Sequence, residues 1–332
     1  MLDSLKIVEQ WLSSGNEEWI DKATTLLSRM QKQLPDRVAE LLEPYIDVSD
    51  AWQNRLIFLM QWADVGAGQR FFELFLRLID NGILDDVRGQ IVVNSEFWNL
   101  IYSLPKQQPD WSCEVIGHYL NRRLSLSLAA SQPNPFDRER GTIPDSQFAE
   151  SVFVESARNA PEAYVTNVLP FMLQVMDLTA YKQNNPPWHD PIWRFRTYGI
   201  GYGIDDLVLK VMETSLSALA THKPDVFWII AESQLLNSNF ETIQHLLVRA
   251  FTANAERFAD EAVSYLCEKP VRLETGYSFV TGNAHAAPFW ATRELLEAVT
   301  LHCSVDQLER LESVVLTFYT AYEKSAEQGG FI

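Results

Sequence analysis

Asp260, Ser264 and Glu268 recur at i, i+4 and i+8, with Glu261 beside the first. On a helix that spacing puts three oxygen-bearing side chains on one face. Convergent oxygens are what a hard divalent cation such as Mg2+ takes as ligands. A solvated acidic helix face accounts for the same spacing without a metal, and it is the simpler account. Other chemistry has less to stand on. Gly199, Gly201 and Gly203 alternate, but the spacing is wrong for a dinucleotide loop and no strand precedes them. The sequence contains no G-x-x-x-x-G-K-[ST], no G-x-S-x-G and no H-E-x-x-H. The six histidines, His118, His189, His222, His245, His285 and His302, never pair at i, i+4, which disfavours a helical metal site. Each is expected to be a hydrogen-bonded structural residue. Cys113, Cys267 and Cys303 are an odd, scattered set without a CxxC pair, so neither a disulfide framework nor a zinc site is expected, only buried thiols. No cofactor and no metal is called for.

The Asp260, Ser264, Glu268 spacing resembles the second magnesium motif of class I terpene cyclases, which are acidic all-helical proteins of about this length. That resemblance implies an aspartate-rich partner motif. Asp205-Asp206 is followed by Leu207-Val208-Leu209, and Asp85-Asp86 by Val87-Arg88-Gly89, so neither pair supplies the third acid. A Mg2+-dependent helical enzyme is therefore the alternative reading, beside a plain structural scaffold.

A second constellation is aromatic. Trp188, Trp193, Phe195, Tyr198 and Tyr202 crowd into fifteen residues with Arg194 and Arg196 among them. Trp, Tyr and Arg anchor protein interfaces, which makes Trp188, His189, Arg194, Arg196 and Tyr202 the candidate protein-binding residues. The same rings can instead fill a corner between helix layers. Asp190, Asp205 and Asp206 lie near enough in sequence to pair with the two arginines. The packed corner is the preferred account: Trp193 and Tyr198 are expected to be buried and to join two helical halves.

The elements that must position these residues are helical throughout. Ile204, Leu207, Val208, Val211, Ser215 and Leu219 share one face of the clearest amphipathic helix, with Asp205 and Asp206 in its first turn. A Pro-acid start signal recurs at Pro35-Asp36, Pro109-Asp110, Pro161-Glu162 and Pro224-Asp225, each before an apolar run. Ala255-Glu256 looks like the same signal without its proline. The intervals are uneven and the tetratricopeptide consensus is absent, so the repeats are irregular paired helices. Further helices are expected over Ala51–Ala63 (Trp52, Ile57, Phe58, Trp62), Gln69–Ile79, Glu96–Leu104 and Val305–Tyr322. The last should carry Val305, Leu308, Leu311, Val315, Phe318 and Tyr322 on one face. Only Gly276–Thr281 offers a short extended piece. The expected fold class is all-α: an irregular α-solenoid of paired antiparallel helices, HEAT-like or degenerate tetratricopeptide-like. Its parts are a helical-repeat half over 1–130, a linker or long loop over 131–146, a second half over 147–325 and a frayed tail over 326–332.

Composition narrows the partners. With 332 residues, 47% of them hydrophobic, the chain can bury a large core. Lys+Arg number 27 and Asp+Glu 44, a formal net charge of −17, so phosphate backbones and anionic membranes are repelled. The N-terminus MLDSLKIVEQW is not a signal peptide, and no run approaches the roughly 18 apolar residues of a membrane helix. A cytoplasmic protein is expected, with a protein partner, no nucleic acid and no membrane.

Three segments together resemble a known family. They are DPIWRFRTYGIGYGIDDLVLKVMETSLSALATHKPD (190–225), YLCEKPVRLETGYS (265–278) and PFWATRELLEAVTLHCSVDQLERLESVVL (288–316). They are similar to the C-terminal helical-repeat regions of large bacterial STAND-type NTPases, many of them antiviral defence proteins. The likeness covers roughly the last 140 residues; the first 180 match only in style, as paired helices. In that family a helical sensor follows an effector and an NTPase and recognises an invader's protein. The resemblance implies that this chain is the sensor part, a protein-binding module and not an enzyme. No binding residues carry over, because no motif for them matches.

Overall fold

The structure, a computed structural model, describes residues 2–85, 97–136, 147–182, 185–193, 203–276 and 289–318. Among these residues it is all-helical, with fifteen α-helices. Strand-type pairing is limited there to one isolated parallel bridge, Trp188 with Phe240. No helix of the described residues is long and apolar enough to cross a membrane. Most of the expected 131–146 linker, the 326–332 tail and most of Gly276–Thr281 lie outside the described residues.

The Pro-acid signals all begin helices: α3 (Pro35–Leu42), α7 (Pro109–Ala129), α9 (Pro161–Thr179) and α11 (Pro224–Ile230). The proline ring disfavours the helical region for the residue before it. Leu34 (φ −136°, ψ 54°), Gln108 (−142°, 76°) and Lys223 (−138°, 61°) accordingly share one conformation. That conformation lets a single residue join two helices. The Lys223 N–H donates to Leu219 O (2.8 Å), ending α10 (Ile204–His222), and its carbonyl accepts from Phe227 N (3.0 Å), beginning α11. Gln108 likewise donates to Leu104 O and accepts from Ser112 N, and Ala160 donates to Ser156 O and accepts from Tyr164 N.

Asn254 has the same backbone (φ −139°, ψ 60°) between α12 (Glu241–Ala253) and α13 (Ala255–Glu268), although no proline follows it. Position 255 is thus already shaped for proline at a site where a helix needs no N–H. Ala255→Pro is expected to stabilise the protein by about 0.4–1 kcal/mol, through the unfolded chain, in a urea melt.

The chain divides into two compact units, Met1–Phe171 and Met172–Ile332. In the first unit, α1 (Leu2–Leu12) packs on α2 (Glu17–Met30), and α2 packs on α3 and on α4 (Asp50–Met60). Next, α3 packs on α5 (Gln69–Asp80), and α5 on α7. Then α7 packs on α6 (Leu104–Gln107) and α8 (Gln147–Asn159). Asn16 caps α2 by accepting from the amides of Glu18 and Trp19, at 3.0 and 3.3 Å. Asp36, the acid of the first start signal, reaches across to α5 and accepts from Arg70 N (2.9 Å) and Phe71 N (3.2 Å). A side chain at Gly68 would collide with that carboxylate, so the approach needs glycine. Trp98 is the centre of the aromatic core, 4.7 Å from the Tyr119 ring and 5.4 Å from that of Phe153.

Two expected faces come out differently. In α4 the buried side chains are Trp52, Leu56, Leu59 and Met60, while Phe58 and Trp62 are exposed, Trp62 at 63%. Helix α4 packs on α2, and Trp52 stacks on Tyr45 with centroids 4.0 Å apart. Trp19 also turns outward, against Trp11 (5.1 Å) and under the Lys22 ammonium.

In the second unit, α10 packs on α11 and α12; α12 packs on α13 and α14 (Trp290–Val299); α13 packs on α14 and α15 (Val305–Thr317). The expected face of α10 is buried apart from half-buried Leu207, and Leu209, Met212, Leu216 and Ala220 widen it. Phe227, Phe251, Phe258 and Tyr265 form a continuous ring cluster, with centroids 5.2–6.1 Å apart. The shared apolar face of α15 is largely uncovered. Only Leu311 is buried, and Val305 is 70% exposed. The one described helix that α15 packs substantially against is α13, so a single narrow stripe suffices.

Charged residues link α10, α12 and α14. Glu213 accepts from Arg249 Nε (2.9 Å), Arg249 Nη1 reaches Glu294 (2.5 Å), and His245 Nε2 lies 3.4 Å from Glu213. Burial alone would raise the Glu213 carboxyl, but hydrogen bonds and positive charge from His245 and Arg249 outweigh it and hold it at about 2. The unfolded glutamate titrates near 4.5, so between those two values the unfolded state binds more protons. The stabilisation is therefore complete above about pH 4.5 and is lost as pH falls toward 2. Glu213→Gln is expected to flatten the acid limb of the stability–pH profile by on the order of 2 kcal/mol, allowing for partial solvent screening. Urea melts between pH 2.5 and 7 measure it.

Candidate functional site

The aromatic stretch is strapped to the start of α12. Trp188 N–H donates to Asn239 O (2.7 Å), and its carbonyl accepts from Glu241 N (3.0 Å). Its half-buried ring meets Phe240 edge-on at 5.6 Å, with the Lys182 ammonium 5.8 Å from the indole. His189 is exposed and sets Nδ1 2.9 Å from the Glu241 carboxylate. Asp190 is buried, accepting from Trp193 N (2.6 Å) and from the Thr242 hydroxyl (2.5 Å). Trp193 is 1% exposed, and its indole N–H donates to Asp205 O (2.9 Å) in the first turn of α10. Trp188 and His189 thus come together at the foot of α12. Arg194, Arg196 and Tyr202 lie outside the described residues, as does Tyr198. The sequence gives no sign of Phe240, Glu241 or Thr242 as partners, since they stand about fifty residues away on a helix with its own apolar pattern.

The acidic spacing on α13 lines an open cleft of about 620 Å3. Asp260, Glu261, Ser264, Tyr265 and Glu268 form one side; Trp228, Leu236, Asn237 and Arg310 complete it. Each residue of the i, i+4, i+8 set has a partner within the fold. Asp260 Oδ1 accepts from Ser304 N (2.7 Å), which opens α15, just as Asp36 serves α5. Ser264 Oγ lies 3.4 Å from Arg310, and Glu268 pairs with Arg272 at 2.9 Å. The Arg272 hydrogen bond, then its charge, hold the Glu268 carboxyl below the usual carboxylate range. Among the described residues no group of three His, Cys, Asp or Glu side chains is placed to hold a metal ion.

Several of the remaining chemistry-bearing residues have structural partners. Cys113 is buried with its Sγ 3.6 Å from Ala160 O, and burial pushes its thiol up to about 12. Cys267 is buried too, whereas Cys303 is only half-buried, because the turn before α15 leaves it at the edge. His118, like His189 and His245, sits against a carboxylate, 2.7 Å from Asp80.

Compared with known proteins, the chain matches no family model, no curated protein and no solved structure.

Proposed function

We propose that this chain is a non-catalytic protein-binding module: an irregular α-solenoid of paired antiparallel helices, and the sensor part of a STAND-type antiviral defence ATPase that recognises an invader's protein in the bacterial cytoplasm. One observation carries the solenoid part. Within each unit a helix packs on its successor or on the next but one, as α3 on α5, α5 on α7, α10 on α12, α12 on α14 and α13 on α15. Sequential packing of that kind is how helical repeats stack. The single-residue joints at Gln108, Ala160, Lys223 and Asn254 provide the recurring turn between helices. The exposed aromatic and apolar side chains Trp62, Phe58, Tyr181 and Ile229 provide anchors of the type that interfaces use. The sensor assignment rests on the sequence resemblance over residues 190–316.

The test is reconstitution. The tagged chain is expressed in bacteria challenged with phage, the captured protein is identified, and binding is repeated with both purified components. The expected outcome is one phage protein bound at a fixed stoichiometry, with weaker binding for Trp188→Ala. Failure of every captured phage protein to bind when purified would reject the sensor reading.

A further inference from the structure

The chain has a single Asn-Gly pair, Asn81-Gly82, where α5 ends. In a flexible chain that pair is chemically labile. The glycine nitrogen attacks the asparagine Cγ and a new C–N bond forms. The side-chain amide leaves as ammonia, carrying the proton that the glycine nitrogen gives up. Water then opens the five-membered imide at one of its two carbonyls. The product is aspartate or isoaspartate, the latter with one more carbon in the main chain. Glycine has no side chain to obstruct the attack.

The fold requires glycine at this position. Gly82 has φ +74°, and a Cβ there would collide with the Arg122 guanidinium. The lability of the pair is therefore built into the turn.

The same turn blocks the reaction at three points. The attacking nitrogen is engaged: Gly82 N donates to Ile79 O and Ile83 N to Leu78 O, both at 3.0 Å, the paired bonds of a Schellman ending. The geometry is wrong for ring closure. At ψ −4° the Gly82 nitrogen eclipses the Asn81 nitrogen, whereas the imide needs it eclipsed with Cβ. The leaving group is engaged as well, since Asn81 Nδ2 donates to Asp47 Oδ1 (3.1 Å). Asn81 itself is exposed, so water reaches it and exclusion of solvent is not what protects it. Buried Ile83 and Arg122, which binds Asp85 Oδ2 (2.9 and 2.6 Å) and Asp80 O (3.5 Å), hold the turn from either side.

We propose that Asn81 is a latent deamidation site: the turn after α5 keeps it closed, and opening of that turn commits it to irreversible conversion. The products do not restore the turn. Aspartate cannot donate to Asp47, and it adds negative charge at the C-terminal end of a helix, where the dipole opposes it. Isoaspartate lengthens the main chain inside the Ile83–Leu78 closure. Conversion is thus a one-way record of local opening in the first unit.

The purified chain is incubated at mildly alkaline pH, with and without denaturing guanidinium chloride. Peptide mass spectrometry follows the gain of one mass unit at Asn81. Asn237-Ser238, in the other unit, is the internal reference. Native Asn81 is expected to convert at least about tenfold more slowly than in the unfolded chain, because reaction waits on local opening. Ile83→Ser and Arg122→Gln should speed conversion at Asn81 in the folded protein and leave Asn237 unchanged. Asp47→Ala should give a smaller rise. If a variant unfolds globally, Asn237 accelerates with Asn81, and the native-against-unfolded comparison decides alone. Equal rates in native and unfolded protein would overturn the proposal, as would folded Ile83→Ser and Arg122→Gln proteins that both convert at the native rate. Asn81→Asp should unfold at a lower denaturant concentration than the native chain; an unchanged midpoint would remove the one-way character.

Discussion

Trp193→Ala is expected to destabilise the protein by about 3–5 kcal/mol, the range for truncating a fully buried large aromatic. The indole has almost no exposure, and its removal opens a cavity that rigid neighbours fill only in part. Its N–H bond to Asp205 O also ties residue 193 to the first turn of α10. Those two contributions separate in Trp193→Phe, which keeps most of the apolar volume and loses the bond. It should cost about 1 kcal/mol for the bond, plus a smaller packing term. Trp188→Ala is the contrast. Its ring is half-buried, and the bonds to Asn239 O and Glu241 N belong to the backbone, so they survive the substitution. Urea melts of all three variants check the ranking. A Trp193→Ala protein with native stability would sink the packed-corner account of this residue.

What could be read in advance was local. The Pro-acid signals locate helix starts because proline acts on its own φ and on the residue before it. Asn254 shows that the joint outlives the proline, which is why Ala255-Glu256 looked related. The face of α10 was legible from its spacing and is buried as expected. Periodicity says that a helix has an apolar stripe, not how much of it meets a neighbour. Hence Phe58 and Trp62 on the α4 segment and Val305 on α15 belong to apolar runs and still lie exposed.

The candidate sites depend on contacts distant in sequence. The spacing of Asp260 to Ser264 and Glu268 is visible in the sequence, whereas its partner Ser304 is 44 residues away. Asp36 performs the same service for α5, 34 residues on. An acid on one helix capping the next but one leaves no short motif. The wall formed by Trp228 and Arg310 was hidden for the same reason: each residue sits on a different helix, and neither breaks its helix's pattern.

Arg272→Met is the other large effect expected, about 3 kcal/mol, and the size depends on which of its contacts dominates. The ion pair with Glu268 is the weaker candidate, because that carboxylate is 60% exposed and such pairs contribute about 0–1 kcal/mol. The main-chain contacts are stronger. Arg272 is fully buried, its Nη1 donates to Tyr265 O (2.6 Å) and its Nη2 to Leu236 O (3.1 Å). Tyr265 O is among the last four carbonyls of α13, which have no partner within the helix. The guanidinium lies 3.8 Å from the centroid of the Tyr265 ring and completes the end of α13 as a cation at a helix C-terminus should. Methionine replaces the stem but leaves both carbonyls without a donor, at about 1–3 kcal/mol each before relaxation. Lysine keeps the charge and cannot fork between two oxygens, so Arg272→Lys should recover less than half of the loss. Glu268→Gln removes only the pair and should cost under about 1 kcal/mol. Denaturation of the three variants settles the order. If Glu268→Gln proves as damaging as Arg272→Met, the ion pair is the principal contact and the carbonyl account is wrong.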